Sequence, residues 1–255
     1  MDNMQRKVKS NDDAVKSRRE AVADRVVSTF GQQLPDLKVL CFFDDVDDEA
    51  LKSGSATRGL YAPANYDIWR SAPDYLQGEI KHVSGTELEE VVFDHVIYVH
   101  GSTCEDEVGQ TMTFAHELQH FIQHSNQLML WAAGSLVTHL HKNTIADLGL
   151  QWRDVPHECE ARIVAKRISE AILGKERVQE YIRRRIAMPA NESDRIDWEF
   201  IETIDPAAPY NLEEETYQLF RRIKRKKAEL DFLLRNCKGN PDFKDVDLNE
   251  LCGEE

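Results

Sequence analysis

Two histidines one helical turn apart, with a glutamate beside the first, are the residues of this chain best suited to chemistry: His116-Glu117-Leu118-Gln119-His120. On an α-helix, positions i and i+4 lie one above the other on the same face. Both imidazoles can then meet a single ion at about 2.0 to 2.1 Å, the usual zinc–nitrogen distance. Glu117 points near that ion without being forced to ligate it. It can take a proton from a zinc-held water and pass it to a leaving amine. Zinc lowers the pKa of such a water to about 7, which makes hydroxide available at neutral pH. The expected chemistry is hydrolysis of a peptide bond, with Glu117 as the catalytic base.

A catalytic zinc of this kind takes a third protein ligand and leaves its fourth position for water. The stretch Pro156-His157-Glu158-Cys159-Glu160-Ala161-Arg162 opens a helix and offers two carboxylates. Glu158 lines up helically with Ala161, Ala165, Ile168 and Ile172, a small apolar face expected to pack inward. Glu160 shares a more mixed face with Ile163, Val164, Arg167 and Ala171. Glu158 is therefore favoured as the ligand and Glu160 is the alternative. A first-turn carboxylate is also favoured by the helix dipole, which accounts for one of them but not both.

Other side chains compete less well. His124 continues the i+4 ladder, but a straight helix carries a third turn away from one ion. His157 could replace Glu158 or donate to an oxyanion. Tyr181 could stabilise a transition state, although the sequence does not place it. His139 and His141 fall on opposite sides of their segment. No HExxHxxGxxH, no GxSxG and no phosphate-cradling glycine loop occurs. Cys104 and Cys159 flank the site, yet nothing local marks either as a low-pKa thiolate.

His116-Glu117-Leu118-Gln119-His120 followed by Glu158-Cys159-Glu160-Ala161 resembles the gluzincin arrangement of zinc metallopeptidases. It is similar to the HExxH…ExxA(D/N) pattern of the ImmA/IrrE-like and Ste24/HtpX-like groups, nearest to the former. The resemblance spans residues 96–172, about a third of the chain. It implies a zincin fold, zinc as the cofactor and Glu158, three residues before Ala161, as the third ligand. The acidic or amide residue that often follows the alanine is here Arg162, which removes a partner that could orient a ligand histidine.

The elements that must position these residues can be read from periodicity and punctuation. The pattern predicts helices over Asp13–Phe30, stopped by Gly31, and over Cys104–Gln127, where Ser102 and Thr103 precede Glu105 and Asp106 at capping-box spacing. Further helices are expected over Leu128–Leu140, His157–Leu173 with Pro156 in its first turn, Glu176–Ala187 and Glu213–Asn236. Leu37–Phe43 and Val96–Val99 read as strands, with shorter ones such as Arg58–Ala62 between. Asn143–Val155 reads as a connector. The fold expected is α+β, a mostly helical zincin-like domain with a small sheet whose edge could take an extended peptide by strand addition. Residues 1–12 are expected as a disordered tail, 13–188 as the metallopeptidase domain, 189–210 as a linker and 211–255 as a helical extension with a loosely ordered end.

Composition narrows the setting. A formal charge of -14 repels phosphate backbones, so nucleic acid is disfavoured as a partner. Two basic runs, Arg183–Arg185 and Arg221–Lys227, read first as solvated helix faces, and the second as a docking surface for a protein partner. Asp44–Glu49 carries five carboxylates but lacks an EF-hand pattern, so a solvated loop is expected ahead of a cation site. Five scattered cysteines without a CxxC argue for a reducing compartment. Met1–Glu20 is polar, and no apolar run reaches the roughly 18 residues needed to span a bilayer, which sets the membrane groups aside. A cytoplasmic protein acting on a peptide or protein is expected. Two rival readings remain: a non-catalytic regulatory protein braced by zinc, and an adaptor that uses its basic helix.

Overall fold

The computed structural model describes residues 3–51, 58–83, 89–91, 93–138 and 155–225, with isolated positions at 149, 151, 231–232, 235, 247 and 251. The expectations for Asn143–Val155, for His139 and His141, and for most of the last thirty residues lie outside this description. The chain divides into two compact units, residues 1–121 with 164–206, and residues 122–163 with 207–255.

The first unit is built on a four-stranded mixed sheet. Its strands are β1 (Met4–Val8), β2 (Val39–Phe43), β3 (Gly59–Pro63) and β6 (His95–Val99), in the order β1-β2-β6-β3. A short separate hairpin pairs β4 (Lys81–Val83) with β5 (Glu89–Val91). Strands β1, β2 and β6 run parallel, and β3 is antiparallel to β6. Every residue of β2 and β6 is buried, which is why Val-Leu-Cys-Phe-Phe and His-Val-Ile-Tyr-Val read as continuous apolar runs rather than alternations.

Met4–Val8 is a strand, not the disordered tail expected. Its Met-Gln-Arg-Lys-Val sequence has no buried apolar face to advertise it. It sits at the sheet edge, where backbone pairing suffices and charged side chains discourage further pairing. Helix α1 (Asp13–Phe30) makes the crossover that a parallel β1–β2 pair requires. The Asp12 carboxylate starts it, accepting from the amides of Ala14 at 2.8 Å and Val15 at 3.2 Å. Gly31, with φ of 54°, ends it in a conformation that other residues resist.

Leu40, Phe42, Val96 and Tyr98 point to one core cluster, closed by Leu51, Trp69, Leu76 and Ile80. Phe43 instead meets Phe114 edge-on, with ring centroids 5.0 Å apart. Phe114 belongs to α3 (Glu107–Asn126), so the HExxH helix lies against the sheet. Burial of each such ring stabilises the fold by roughly 2 to 3 kcal/mol. Helix α3 starts later than the capping-box spacing suggests. Gly101–Glu105 forms a 3-10 turn, and Asp106 provides the cap by accepting from the Val108 amide at 2.8 Å.

The acidic segment is not simply a solvated loop, because Asp44 is fully buried. Tyr75 and Tyr98 each donate a hydroxyl to its Oδ2 at 2.5 Å, and Lys9 lies 3.5 Å from Oδ1. Burial alone would raise its carboxyl pKa. The two phenols, the Asp45 amide and Lys9 overcome this and hold it below the usual carboxylate value. Because the folded value is depressed, the stabilisation is present above about pH 4 and is lost as pH falls through the folded value. Asp44→Asn should cost about 2 to 4 kcal/mol at neutral pH and flatten this acid limb. Urea midpoints from pH 7 to pH 3 check it: the wild-type midpoint falls the more steeply, and parallel curves would refute the assignment.

The stretch expected as a linker contains a further helix. After α2 (Asp74–Ile80), α3, α4 (Leu128–Thr138), α5 (Pro156–Leu173) and α6 (Lys175–Ala187), helix α7 spans Glu192–Thr203. Pro189 and Pro206 read as loop signals, yet both lie outside it. Asn191 caps its start, with Oδ1 accepting from the Asp194 amide at 3.0 Å. The buried Lys166 ammonium holds its end, donating to the carbonyls of Ile201, Glu202 and Ile204 at 2.7 to 3.0 Å. Helices α6 and α7 pack Val178, Tyr181, Ile182, Trp198 and Ile201 against Val108 and Met112 of α3. Arg183, Arg184 and Arg185 pair with Glu202, Asp106 and Asp194, so this basic run serves intramolecular ion pairs.

In the second unit, α4 is buried over most of its surface and packs with α8 (Leu212–Lys224). Helix α8 buries Leu212, Thr216, Leu219, Phe220 and Ile223 and exposes Arg221 and Arg222. The rest of the expected Glu213–Asn236 helix falls largely outside the described residues. No described helix is long and apolar enough to cross a membrane. The fold is thus a mostly helical α+β one with a single small mixed sheet beside its hairpin.

Candidate metal centre

Helix α3 is buried nearly all round from Val108 to Phe121, not along one stripe only. A helix so enclosed has little rotational freedom, which fixes where its polar side chains project. His116 and His120 bring their Nε2 atoms to 3.0 Å, with the rings edge-to-face at 4.6 Å. Two nitrogens holding one tetrahedral ion at the usual zinc distance lie about 3.3 Å apart. The pair is therefore already near the separation that shared ligation requires.

Glu158 stands in the first turn of α5. One ligand atom from each of His116, His120 and Glu158 lies within 4.8 Å of the other two, a group that can hold a metal ion. His120 and Glu158 are buried and His116 is half-buried. Two imidazole nitrogens and one carboxylate oxygen form the donor set of a borderline cation such as zinc. All three sit on unbroken helices, which hold such groups more firmly than loops.

The Glu158 carboxylate is oriented from its own helix. Arg162 Nη1 donates to Oε2 at 2.8 Å and to the Glu158 carbonyl at 3.0 Å. His157 Nε2 stands 3.8 Å from Oε1, beyond hydrogen-bond reach. Glu160 has a different role. Its Oε2 accepts from Gln123 Nε2 at 2.8 Å, and the same amide donates to the His157 carbonyl at 2.9 Å. The two carboxylates are thus told apart, Glu158 grouped with the histidines and Glu160 hydrogen-bonded to Gln123.

Glu117 is 6% exposed and lies against β3. A methyl group on Gly59 would come within 2.7 Å of Thr113 Cγ2 and 2.9 Å of Glu117 Oε1. Glycine at this position lets the strand pass the carboxylate closely. Strand β3 occupies one edge of its sheet, paired with β6 alone among the described strands.

The other named residues lie elsewhere. His124 meets Trp131 edge-on at 4.7 Å. His157 is buried in the space left by Gly134, where an added Cβ would come within 2.1 Å of its Nδ1. Tyr181 packs on Trp198 at 5.4 Å with its hydroxyl against Gly109, two turns before His116. It serves the α3–α6–α7 core, and burial pushes its phenol up. Burial likewise raises the Cys104 thiol to about 12 and the Cys41 thiol still further, so neither is a nucleophile at neutral pH. Among the described residues, Asp44–Glu49 provides no group able to hold a metal.

Sequence reading passed over Gln123, Gly59 and Gly134. Gln123 carried a usable signal, since a polar residue three positions past His120 continues that face of the helix. The glycines did not, because their meaning depends on which side chain the fold brings opposite them. No family model, no curated protein and no solved structure matches the chain.

Proposed function

We propose that this chain is a zinc-dependent peptidase of the gluzincin type, with His116, His120 and Glu158 holding zinc and Glu117 as the catalytic base. The observation that carries the reading is the convergence of two helix histidines and a distant carboxylate within 4.8 Å, beside a second, buried carboxylate. A zinc ion held there supplies Lewis acidity, making a water acidic and a carbonyl electrophilic. Glu117 accepts the proton from that water and delivers it to the departing nitrogen.

The side of β3 that no described strand pairs suits an extended substrate, whose main chain can add as a further strand while Glu117 lies against Gly59. This supports a peptide over a compact small molecule. A zinc brace normally uses four protein ligands. Neither His124 nor His157 joins the group among the described residues, which weighs against that rival. A cytoplasmic location and a protein partner at the basic end of α8 complete the proposal.

Metal removal is the direct test. Zinc-loaded protein should cleave an unstructured polypeptide such as casein, or members of a proteome-derived peptide library. Cleavage should stop on chelation and return with one equivalent of zinc. A protein that carries one zinc per chain and cleaves nothing in such a library, or one whose cleavage survives chelation, sinks the peptidase reading.

A further inference from the structure

The third ligand sits on a separate helix from the histidine pair, so something must set the separation between them. Gln123 is fully buried and lies three residues past His120 on α3. Its carboxamide Nε2 carries two hydrogens, and both have acceptors: the His157 carbonyl at 2.9 Å and Glu160 Oε2 at 2.8 Å. These acceptors flank Glu158 on either side in sequence. The first turn of α5 is thereby pinned at two points, and the residue between them is the ligand. Arg162 then fixes the carboxylate's rotation by taking Oε2.

We infer that Gln123 is a positioning residue for the metal centre, acting through the first turn of α5 to hold Glu158 at ligating distance from His116 and His120. The inference rests on the metal-centre reading above and deepens it. It also explains the division of labour between the carboxylates. Glu160 anchors the turn, while Glu158 is the carboxylate grouped with the histidines. A glutamate at 123 could not do this, because its oxygens would face the His157 carbonyl and the Glu160 carboxylate, both acceptors.

Zinc affinity, measured by competition with a chromophoric chelator on the full chain, tests this without any substrate. Gln123→Met keeps length and apolar bulk but has no donor. It should weaken zinc binding about 10- to 100-fold, the usual effect of removing a group that orients a ligand. Glu160→Gln retains a carbonyl oxygen for the Gln123 amide and should bind zinc like wild type. In a Co2+-substituted sample, Gln123→Met should also lose intensity in the visible d–d bands of a four-coordinate centre, a change that mere loss of stability would not produce. Wild-type zinc affinity in a folded Gln123→Met overturns the inference. Should that variant fail to fold, Glu160→Ala decides: it removes one of the two anchors, and unchanged affinity there overturns the inference equally. Failure of the wild-type chain to bind zinc would instead sink the metal-centre reading itself.

Discussion

Glu117→Gln should retain one zinc per chain and lose about 10²- to 10⁴-fold in turnover, the range that general-base catalysis supplies. The substitution keeps the shape of a side chain that is 6% exposed and closely packed against Gly59 and Thr113. It therefore changes one property only, the ability to accept a proton. Glu117 is not among the three donors of the metal group, so ion affinity should hold. Metal analysis and single-turnover assays on the same sample separate the two effects. Turnover near the wild-type level in a zinc-loaded Glu117→Gln would refute its assignment as the base. Loss of both zinc and turnover would move Glu117 from base to ligand.

The sequence carried the helix of the histidines and the segment that brings a carboxylate to them, because both depend on local spacing. Positions i and i+4 share a face whatever surrounds them, and Pro156 marks the turn that presents Glu158. The preference for Glu158 over Glu160 came from asking which face of α5 packs inward. That face is indeed the better buried one at Glu158, Ala161 and Ala165. Glu160 differs further in having a separate partner on α3, the Gln123 amide.

What stayed hidden depends on contacts between residues remote in sequence. Strand β1 has no apolar pattern of its own and exists because β2 offers an unpaired edge. Helix α7 looked like a linker because prolines bracket it, while Trp198 and Ile201 needed the face of α3 to give them a reason to fold. Asp44 looked like one solvated carboxylate among five, yet two tyrosines and a lysine from three separate segments surround it. In each case the deciding partner lies more than twenty residues away. The departure at Arg162 is the most instructive. Read against the resembled pattern, it was a missing partner for a histidine. In the fold it is a partner for the Glu158 carboxylate instead.

Removing a ligand should have effects that depend on what else that ligand holds. His120→Ala should abolish stoichiometric zinc binding, since a two-donor site retains little of the affinity that a third donor confers. Its cost to the apo-protein is that of a buried ring, about 2 to 3 kcal/mol. Glu158→Ala is less clean. It deletes one partner of an ion pair whose side chains are 9% and 11% exposed, and the arginine left behind can cost about 3 kcal/mol or more. Glu158→Gln avoids this, because its amide oxygen can still accept from Arg162 while the ion loses an anionic donor. The expected order of zinc affinity is therefore wild type above Glu158→Gln, and Glu158→Gln above His120→Ala. Thermal stability without metal should instead fall furthest in Glu158→Ala. Calorimetric zinc titrations beside melting curves with chelator present measure both orders at once. If His120→Ala binds zinc as wild type does, the ion is held elsewhere, and the two imidazoles meeting on α3 must be explained as packing alone.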